Sequence, residues 1–508
     1  MRTAGAVSHP SEPPKPGEKL IDAYSFDASG ITVSVRIIKK DEFSPYYEVK
    51  MPVIEEGTKL YLLKTLKSAL ITEVKLDIAE IVDPKLAPIV RKKFEESSQR
   101  LLERQFPGLG EEKKKLLIAY LMHNTLGLGD LEAPMHDEML EEIVINGASD
   151  PVWIFHKKHG WCKTNIRLDD EETIYDYAAT IGRRVGKQIN VLNPLMDAHL
   201  TSGDRVNATL FPISSSGNTI TIRKFSKNPW TLPNLIQGKT ISSEVAGLLW
   251  TCIQYELSLL VSGGTGSGKT SFLNALGCLF PPTQRVISIE DTRELTLPSF
   301  LQWVPLSTRE PNAEGKGEIT MLDLMVNSLR MRPDRIVVGE VRRQREAEIM
   351  FEAMHTGHAV YSTIHADNAL ETVSRLANPP INMPKTVLDT LSGIVVQFRH
   401  RKLGIRRTLE FAEVMKEGDL NLLYRWNIKT DKLTEVNTMS ALVETLSLYA
   451  GLSGKEIKSD ATEKAKVLDW MVENKYMDVD QVGRIVARYY AEPEYIMNLV
   501  DSKKPWNI

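Results

Sequence analysis

Gly263-Gly264-Thr265-Gly266-Ser267-Gly268-Lys269-Thr270 satisfies the template G-x-x-x-x-G-K-[ST] at every fixed position. The apolar stretch before it, Glu256-Leu257-Ser258-Leu259-Leu260-Val261-Ser262, reads as a buried strand. Ser271-Phe272-Leu273-Asn274-Ala275-Leu276-Gly277 after it reads as the start of a helix. A strand, a glycine turn and a helix are the context that gives the template its physical meaning. Glycines let consecutive N–H groups close around phosphate oxygens, and the helix N-terminus adds favourable dipole charge. In such a loop the backbone from Gly263 to Ser271 cradles phosphates. Lys269 faces the β- and γ-phosphates and Thr270 offers its hydroxyl to Mg²⁺.

Around this loop lie 508 residues, enough for about three domains. The chain carries 63 Lys and Arg against 66 Asp and Glu, a net charge of −3, so no global field draws it to nucleic acid or acidic lipid. Its cysteines are Cys162, Cys252 and Cys278, an odd number with no C-x-x-C pair. That argues against a disulfide framework or a structural zinc site and points to a reducing interior. No apolar run approaches the roughly 18 residues that span a bilayer, and the N-terminus lacks the apolar core of a secretory signal. The expected location is cytoplasmic, with any membrane association peripheral.

Taken in order, residues 1–18 are rich in Pro, Ser and Gly and read as a disordered arm. Residues 19–130 read as mostly helical after strands at 31–38 and 46–49, with Leu60, Leu63, Leu66 and Leu70 at helical spacing. Glu111-Glu112-Lys113-Lys114-Lys115 reads as a solvated helix start. Residues 131–225 read as mixed α/β: strands at 142–147 and 152–156 with a hairpin tip at 157–160, an amphipathic helix over 171–185, and strands at 207–211 and 219–223. The Pro-bearing stretch 226–240 reads as a hinge linker. From 241 to 436 strands and helices alternate, as in a mostly parallel sheet. Residues 437–508 read as a helical tail.

Four further motifs follow the loop. Arg335-Ile336-Val337-Val338-Gly339-Glu340 is an apolar strand ending in an acid, placed for Glu340 to activate or orient a water in line with a γ-phosphate. Where many such enzymes have an Asp before that Glu, this chain has Gly339, so the Mg²⁺ shell needs another acid. Glu290 and Asp291, after Val286-Ile287-Ser288-Ile289, are candidates for it, although an ordinary strand and polar turn would look the same. His358 and His365 flank a strand, with His365 past its end, where a γ-phosphate sensor would sit; their spacing puts them on opposite faces of an ideal strand. Arg330, Arg332, Arg342, Arg343 and Arg345 bracket the Glu340 strand. Guanidinium groups there would stabilise charge on a transferred phosphoryl group, within one subunit or across an interface, with Arg330 and Arg342 the foremost candidates.

Over residues 130–430 the order of these motifs resembles the secretion ATPase superfamily that powers type II secretion, type IV pili and the archaeal swimming filament. The matching pieces are Ile289-Glu290-Asp291-Thr292, the strand ending Gly339-Glu340, and the His358 and His365 region. Upstream, Pro194 to Leu200, Gly203-Asp204-Arg205-Val206 and Ile222-Arg223-Lys224-Phe225 are similar to that superfamily's N-terminal domain. The resemblance implies a RecA-like P-loop NTPase core behind a mixed α/β N-terminal domain. It implies ATP with Mg²⁺, ATP hydrolysis, and Arg205 and Arg223 as secondary phosphate contacts. It also implies a homohexamer that closes on ATP and reopens on hydrolysis, passing the motion to a polytopic inner-membrane platform protein. The four zinc-binding cysteines of bacterial type II secretion members have no counterpart here, and the wording around Glu340 is more similar to the archaeal branch, serving archaella and archaeal pili. Protein secretion and conjugation-type transfer stay open. So do a non-catalytic nucleotide-gated scaffold and a nucleic-acid motor, the latter disfavoured by the charge balance.

Overall fold

A computed structural model describes residues 18–40, 43–74, 86–200, 202–225, 228–311 and 315–506. The chain divides into two compact units, Met1–Lys227 and Asn228–Ile508. Apart from Glu18, the arm expected over residues 1–18 lies outside the described residues.

The first unit is built on alternation. In Ile31–Lys39 the side chains of Val33, Val35 and Ile37 are buried while Thr32 is exposed, the period of a half-buried strand. Nine strands join one sheet: β1 (Lys19–Ala28), β2 (Ile31–Lys39), β3 (Tyr46–Lys50), β4 (Leu140–Ile145), β5 (Trp153–His156), β6 (Gly160–Thr164), β7 (Leu195–His199), β8 (Arg205–Thr209) and β9 (Thr219–Arg223). Their order is β1-β2-β3-β6-β5-β4-β9-β8-β7. Among the described residues only β3 and β6 pair in parallel in this sheet. That pair places residues before and after 130, expected as separate regions, in one sheet. The hairpin tip at 157–160 is found between β5 and β6. The helix expected over 171–185 spans Glu171–Arg184. Asp170 caps it by accepting the Thr173 N–H at 2.8 Å. Its Ile174, Ala178 and Ile181 pack with Ile143, Ile154, Val206 and Ile222 of the sheet.

A smaller core gathers Leu62, Leu66 and Leu70 against Phe94, Leu102 and Leu121. The expected stripe beginning at Leu60 is therefore corrected, because Leu60 is 48% exposed. Leu62–Leu66 form a π-helical turn, and the extra residue in that turn shifts the phase of the buried face.

The second unit follows from β10 (Leu259–Gly263), every residue of which is buried. Leu259 and Val261 enter one core with Val245, Leu249 and Leu273, whereas Leu260 enters another with Met325 and Met350. A strand apolar on both faces needs helices on both sides. The remaining strands are β11 (Arg285–Glu290), β12 (Gln302–Ser307), β13 (Arg335–Val338), β14 (Ala359–Ile364), β15 (Gly393–His400), β16 (Ile405–Val414), β17 (Leu420–Asn427) and β18 (Lys432–Glu435). The sheet order is β12-β11-β13-β14-β10-β15-β16-β17-β18. β10 to β15 are parallel, and one strand, β14, separates β10 from β13. This is the RecA-like α/β layering that the family resemblance implies, on the mostly parallel sheet that the alternating elements predict.

Two expectations change here. The alternation of strand and helix stops at β15, and residues 393–435 form an antiparallel meander joined by tight turns. The stretch expected as a linker over 226–240 is structured from Thr231 onward, with a helix over Leu232–Gln237 whose Leu232, Pro233 and Leu235 are buried. The Thr231 hydroxyl donates to the Met477 carbonyl at 3.0 Å. A Pro at the first helical turn starts this helix, where its missing N–H costs nothing.

The tail is helical as expected, over Ala441–Ala450, Gly454–Glu473, Val479–Ala491 and Pro493–Asp501. It belongs to the core of this unit. Trp250, fully buried, donates its indole N–H to the Tyr490 hydroxyl at 2.9 Å, which in turn donates to the Leu279 carbonyl at 2.8 Å.

Candidate functional site

Six parallel strands point their C-terminal ends to one edge of the second sheet, the edge where such folds place ligands. That edge collects Gly263 at the end of β10, Glu290 at the end of β11, Gly339-Glu340 after β13 and His365 after β14.

The loop from Gly263 runs into a helix over Lys269–Gly277. Gly266 (φ 70°) and Gly268 (φ 94°) hold left-handed backbone that a side chain would strain. Lys269 Nζ donates to the carbonyls of Gly263 and Gly264 at 2.9 and 3.1 Å, and burial lowers its pKa. Ser267 is buried, and its hydroxyl finds no hydrogen-bond partner. Thr270 and Ser271 occupy the first helical turn. The hydroxyl of Thr265 lies 2.9 Å from His365 Nε2, which puts the histidine directly on the loop.

Glu340, half-buried, is gripped by Arg342: Nη2 and Nε lie 2.7 and 3.1 Å from one carboxylate oxygen. Arg342 Nη1 donates to Asp291 at 2.9 Å, so one guanidinium bridges two acids from two strand ends. A backbone bond from Val341 N to the Thr363 carbonyl (3.0 Å) and one from the Thr363 hydroxyl to the Gly339 carbonyl (2.6 Å) tie the end of β13 to β14.

Glu290 is 2% exposed. One carboxylate oxygen accepts the N–H groups of Glu294 and Leu295 at 2.8 and 3.0 Å, while the other is buried without a partner. Burial pushes its pKa up to about 7, against those two bonds, which favour the ionised form. Gly339 is its neighbour: a Cβ built there would sit 3.5 Å from Glu290 Cγ.

Of the other expected residues, His358, Arg330 and Arg332 lie away from that edge of the sheet. His358 stands at the start of β14, the opposite edge, with Nδ1 3.1 Å from the Thr356 hydroxyl and 3.2 Å from the Ala353 carbonyl. Arg330 and Arg332 precede β13 and are exposed at that same far edge, because a strand separates its own two ends. Arg345 pairs with Glu348 at 3.0 Å. Arg205 and Arg223 are register partners on β8 and β9 of the first unit, and Arg205 is held by Asp197.

Three residues that the sequence reading passed over crowd the loop. A Cβ on Gly264 would lie 2.9 Å from Asp367 Oδ1, and one on Gly266 would lie 3.0 Å from Arg399 Nη1. Arg406 Nε donates to the Gly266 carbonyl at 3.1 Å. The signal available was the basic run from Arg399 to Arg407.

Among the described residues no helix is long and apolar enough to cross a membrane. Residues 127–422 match the family described as Type II/IV secretion system protein. An uncharacterized protein of Methanocaldococcus jannaschii is 35% identical over 392 residues, 75% of this chain and 70% of that one. The type IV secretion system protein PtlH of Bordetella pertussis is 29% identical over 281 residues, 50% of this chain and 82% of that one. Among solved structures, the VirB11 ATPase of the Brucella suis type IV secretion system, in complex with sulphate, is 25% identical and covers 56% of this chain and 95% of its own, with a TM-score of 0.29. With a glycine phosphate loop, an acid-ended strand and a histidine on one sheet edge, this chain belongs to the type II/IV secretion-system family, a family of secretion ATPases.

Proposed function

We propose that this chain is an ATP-hydrolysing motor, working as a homohexameric ring, that drives assembly of an archaellum or type IV pilus-like filament. Its partner is a polytopic platform protein of the cytoplasmic membrane, and the chain acts from the cytoplasmic side. One observation carries the catalytic part: the loop, Glu340 and His365 converge on one edge, with Arg342 bridging Glu340 and Asp291. Glu340 is the group that takes up or orients the attacking water's proton. Lys269 exchanges its two loop carbonyls for phosphate oxygens when nucleotide enters, and His365 reads the γ-phosphate through its contact at Thr265.

The donors at this edge fit Mg²⁺. Thr270 offers a hydroxyl, and Glu290 offers a buried oxygen with no other partner beside Gly339, where an acid is missing. Asp291 is engaged by Arg342 and is the weaker ligand. Bound there with the nucleotide, Mg²⁺ would neutralise charge on the β- and γ-phosphates.

The filament reading rests on the similarity of motif order and wording to the archaeal branch. Transport of protein or nucleic acid is the second reading, favoured by the likeness to PtlH, a type IV secretion protein. Replacing Glu340 by Gln in the cell of origin separates them. Loss of swimming filaments or adhesive pili supports the first. Normal filaments with a defect in secretion or transfer support the second.

A further inference from the structure

The β15–β16 hairpin carries the most basic stretch beside the loop, and the catalytic reading leaves it unused. β15 runs parallel to β10 with Gly263 opposite Gln397, so Arg399 lies two residues past the point where the loop begins. Arg406 is its register partner on β16. Both arginines meet the loop at its apex: Arg399 Nη1 stands 3.0 Å from where a Gly266 Cβ would be, and Arg406 Nε holds the Gly266 carbonyl at 3.1 Å. The aliphatic stem of Arg406 also lies 3.6 Å from the position of a Gly268 Cβ.

Sheet order gives the direction of a bound nucleotide. Glu340 and His365 follow β13 and β14, on one side of β10, whereas the arginine hairpin lies on the other. A γ-phosphate presented to Glu340 and His365 leaves the α- and β-phosphates toward the hairpin. Three cations, Lys269, Arg399 and Arg406, then surround one short loop. Asp367 beside Gly264 offsets part of that positive charge, and planar guanidinium groups suit phosphate oxygens.

We infer that Arg399, supported by Arg406, binds the α/β-phosphate end of the nucleotide. This rests on the nucleotide-site reading above. The contact is the same for ATP and ADP, because the γ-phosphate takes no part in it. It therefore governs affinity for substrate and product alike, unlike Glu340 and Arg342, which act at the transferred group.

The test is titration of fluorescent ATP and ADP analogues into the full chain, unaltered and with Arg399→Ala, Arg399→Lys or Lys269→Ala, each with its melting temperature. A charge-assisted hydrogen bond of this kind predicts a rise in Kd of about tenfold or more for both nucleotides in Arg399→Ala. Arg399→Lys should recover part of that loss with an unchanged melting temperature. Equal affinities in Arg399→Ala and the unaltered chain overturn the inference, as does a loss confined to ATP. If Arg399→Ala melts early, the comparison between ATP and ADP in Arg399→Lys decides, with a shared loss supporting the contact and none refuting it. Lys269→Ala separates the two levels: undiminished binding there would overturn the nucleotide site itself, whereas its loss beside a normal Arg399→Ala removes only the arginine contact.

Discussion

Replacing Glu290 by Gln should stabilise the second unit above neutral pH, and the size of the effect follows from its surroundings. The carboxyl is 2% exposed, one oxygen has no partner, and its pKa stands at about 7 where an exposed glutamate has 4.5. The folded state therefore binds this proton more tightly than the unfolded state does. Stability from this group is present in full below about pH 4.5 and is lost as pH rises through about 7. At about 1.4 kcal/mol for each tenfold change in proton affinity, the charged carboxylate costs the fold about 3 kcal/mol at pH 8. Gln keeps an oxygen for the N–H groups of Glu294 and Leu295 and carries no charge to desolvate. For a unit of this size, about 3 kcal/mol corresponds to roughly 5 °C in melting temperature. Calorimetric melts of the nucleotide-free chain from pH 4.5 to 8.5 provide the assay. The melting temperature of the unaltered second unit should fall relative to Glu290→Gln as pH rises, with the gap opening between pH 4.5 and 7. Parallel curves, or a Glu290→Gln chain less stable at pH 8, would mean that the buried carboxylate does not carry this cost.

Lys269→Ala should remove nucleotide binding below detection in an analogue titration, since no other loop side chain carries charge. Arg342→Ala should lower turnover at least tenfold while leaving ATP affinity within a few-fold, because it takes the bridge from Glu340 and Asp291; the separate kcat and KM values check this. Gly247→Ala should destabilise the second unit by about 1–3 kcal/mol in a denaturant titration, because a Cβ there would lie 2.2 Å from the Ala461 carbonyl of the tail helix.

What was legible from sequence was local. The phosphate loop needs a fixed spacing of glycines, and β13 and β14 announce themselves as short apolar runs bounded by polar residues. Once the sheet is parallel, chain direction alone puts Glu340 and His365 on the loop's edge and His358 on the other. The meander from β15 to β18 escaped because Gly393–His400, parallel to β10 on one side and antiparallel to β16 on the other, carries the continuous buried pattern of a strand inside a parallel sheet. Leu232–Gln237 escaped because two prolines near a tryptophan look like a linker, while its Leu232 and Leu235 are buried in a core shared with tail residues such as Leu468 and Met471, far along the chain. The bridge from Arg342 to Asp291 spans 51 positions, and the approach of Arg399 to Gly266 spans still more. No local period records such contacts, so an arginine's partner is legible only once the strands are ordered.

The central claim, that Glu340 serves turnover and not binding, is tested most directly by phosphate release from the purified chain beside Glu340→Gln, with nucleotide affinity measured on both. Steady release by the unaltered chain is expected, with at least a hundredfold less by Glu340→Gln at similar affinity. Equal release by the two, or no release by either under conditions where both bind ATP, would contradict it.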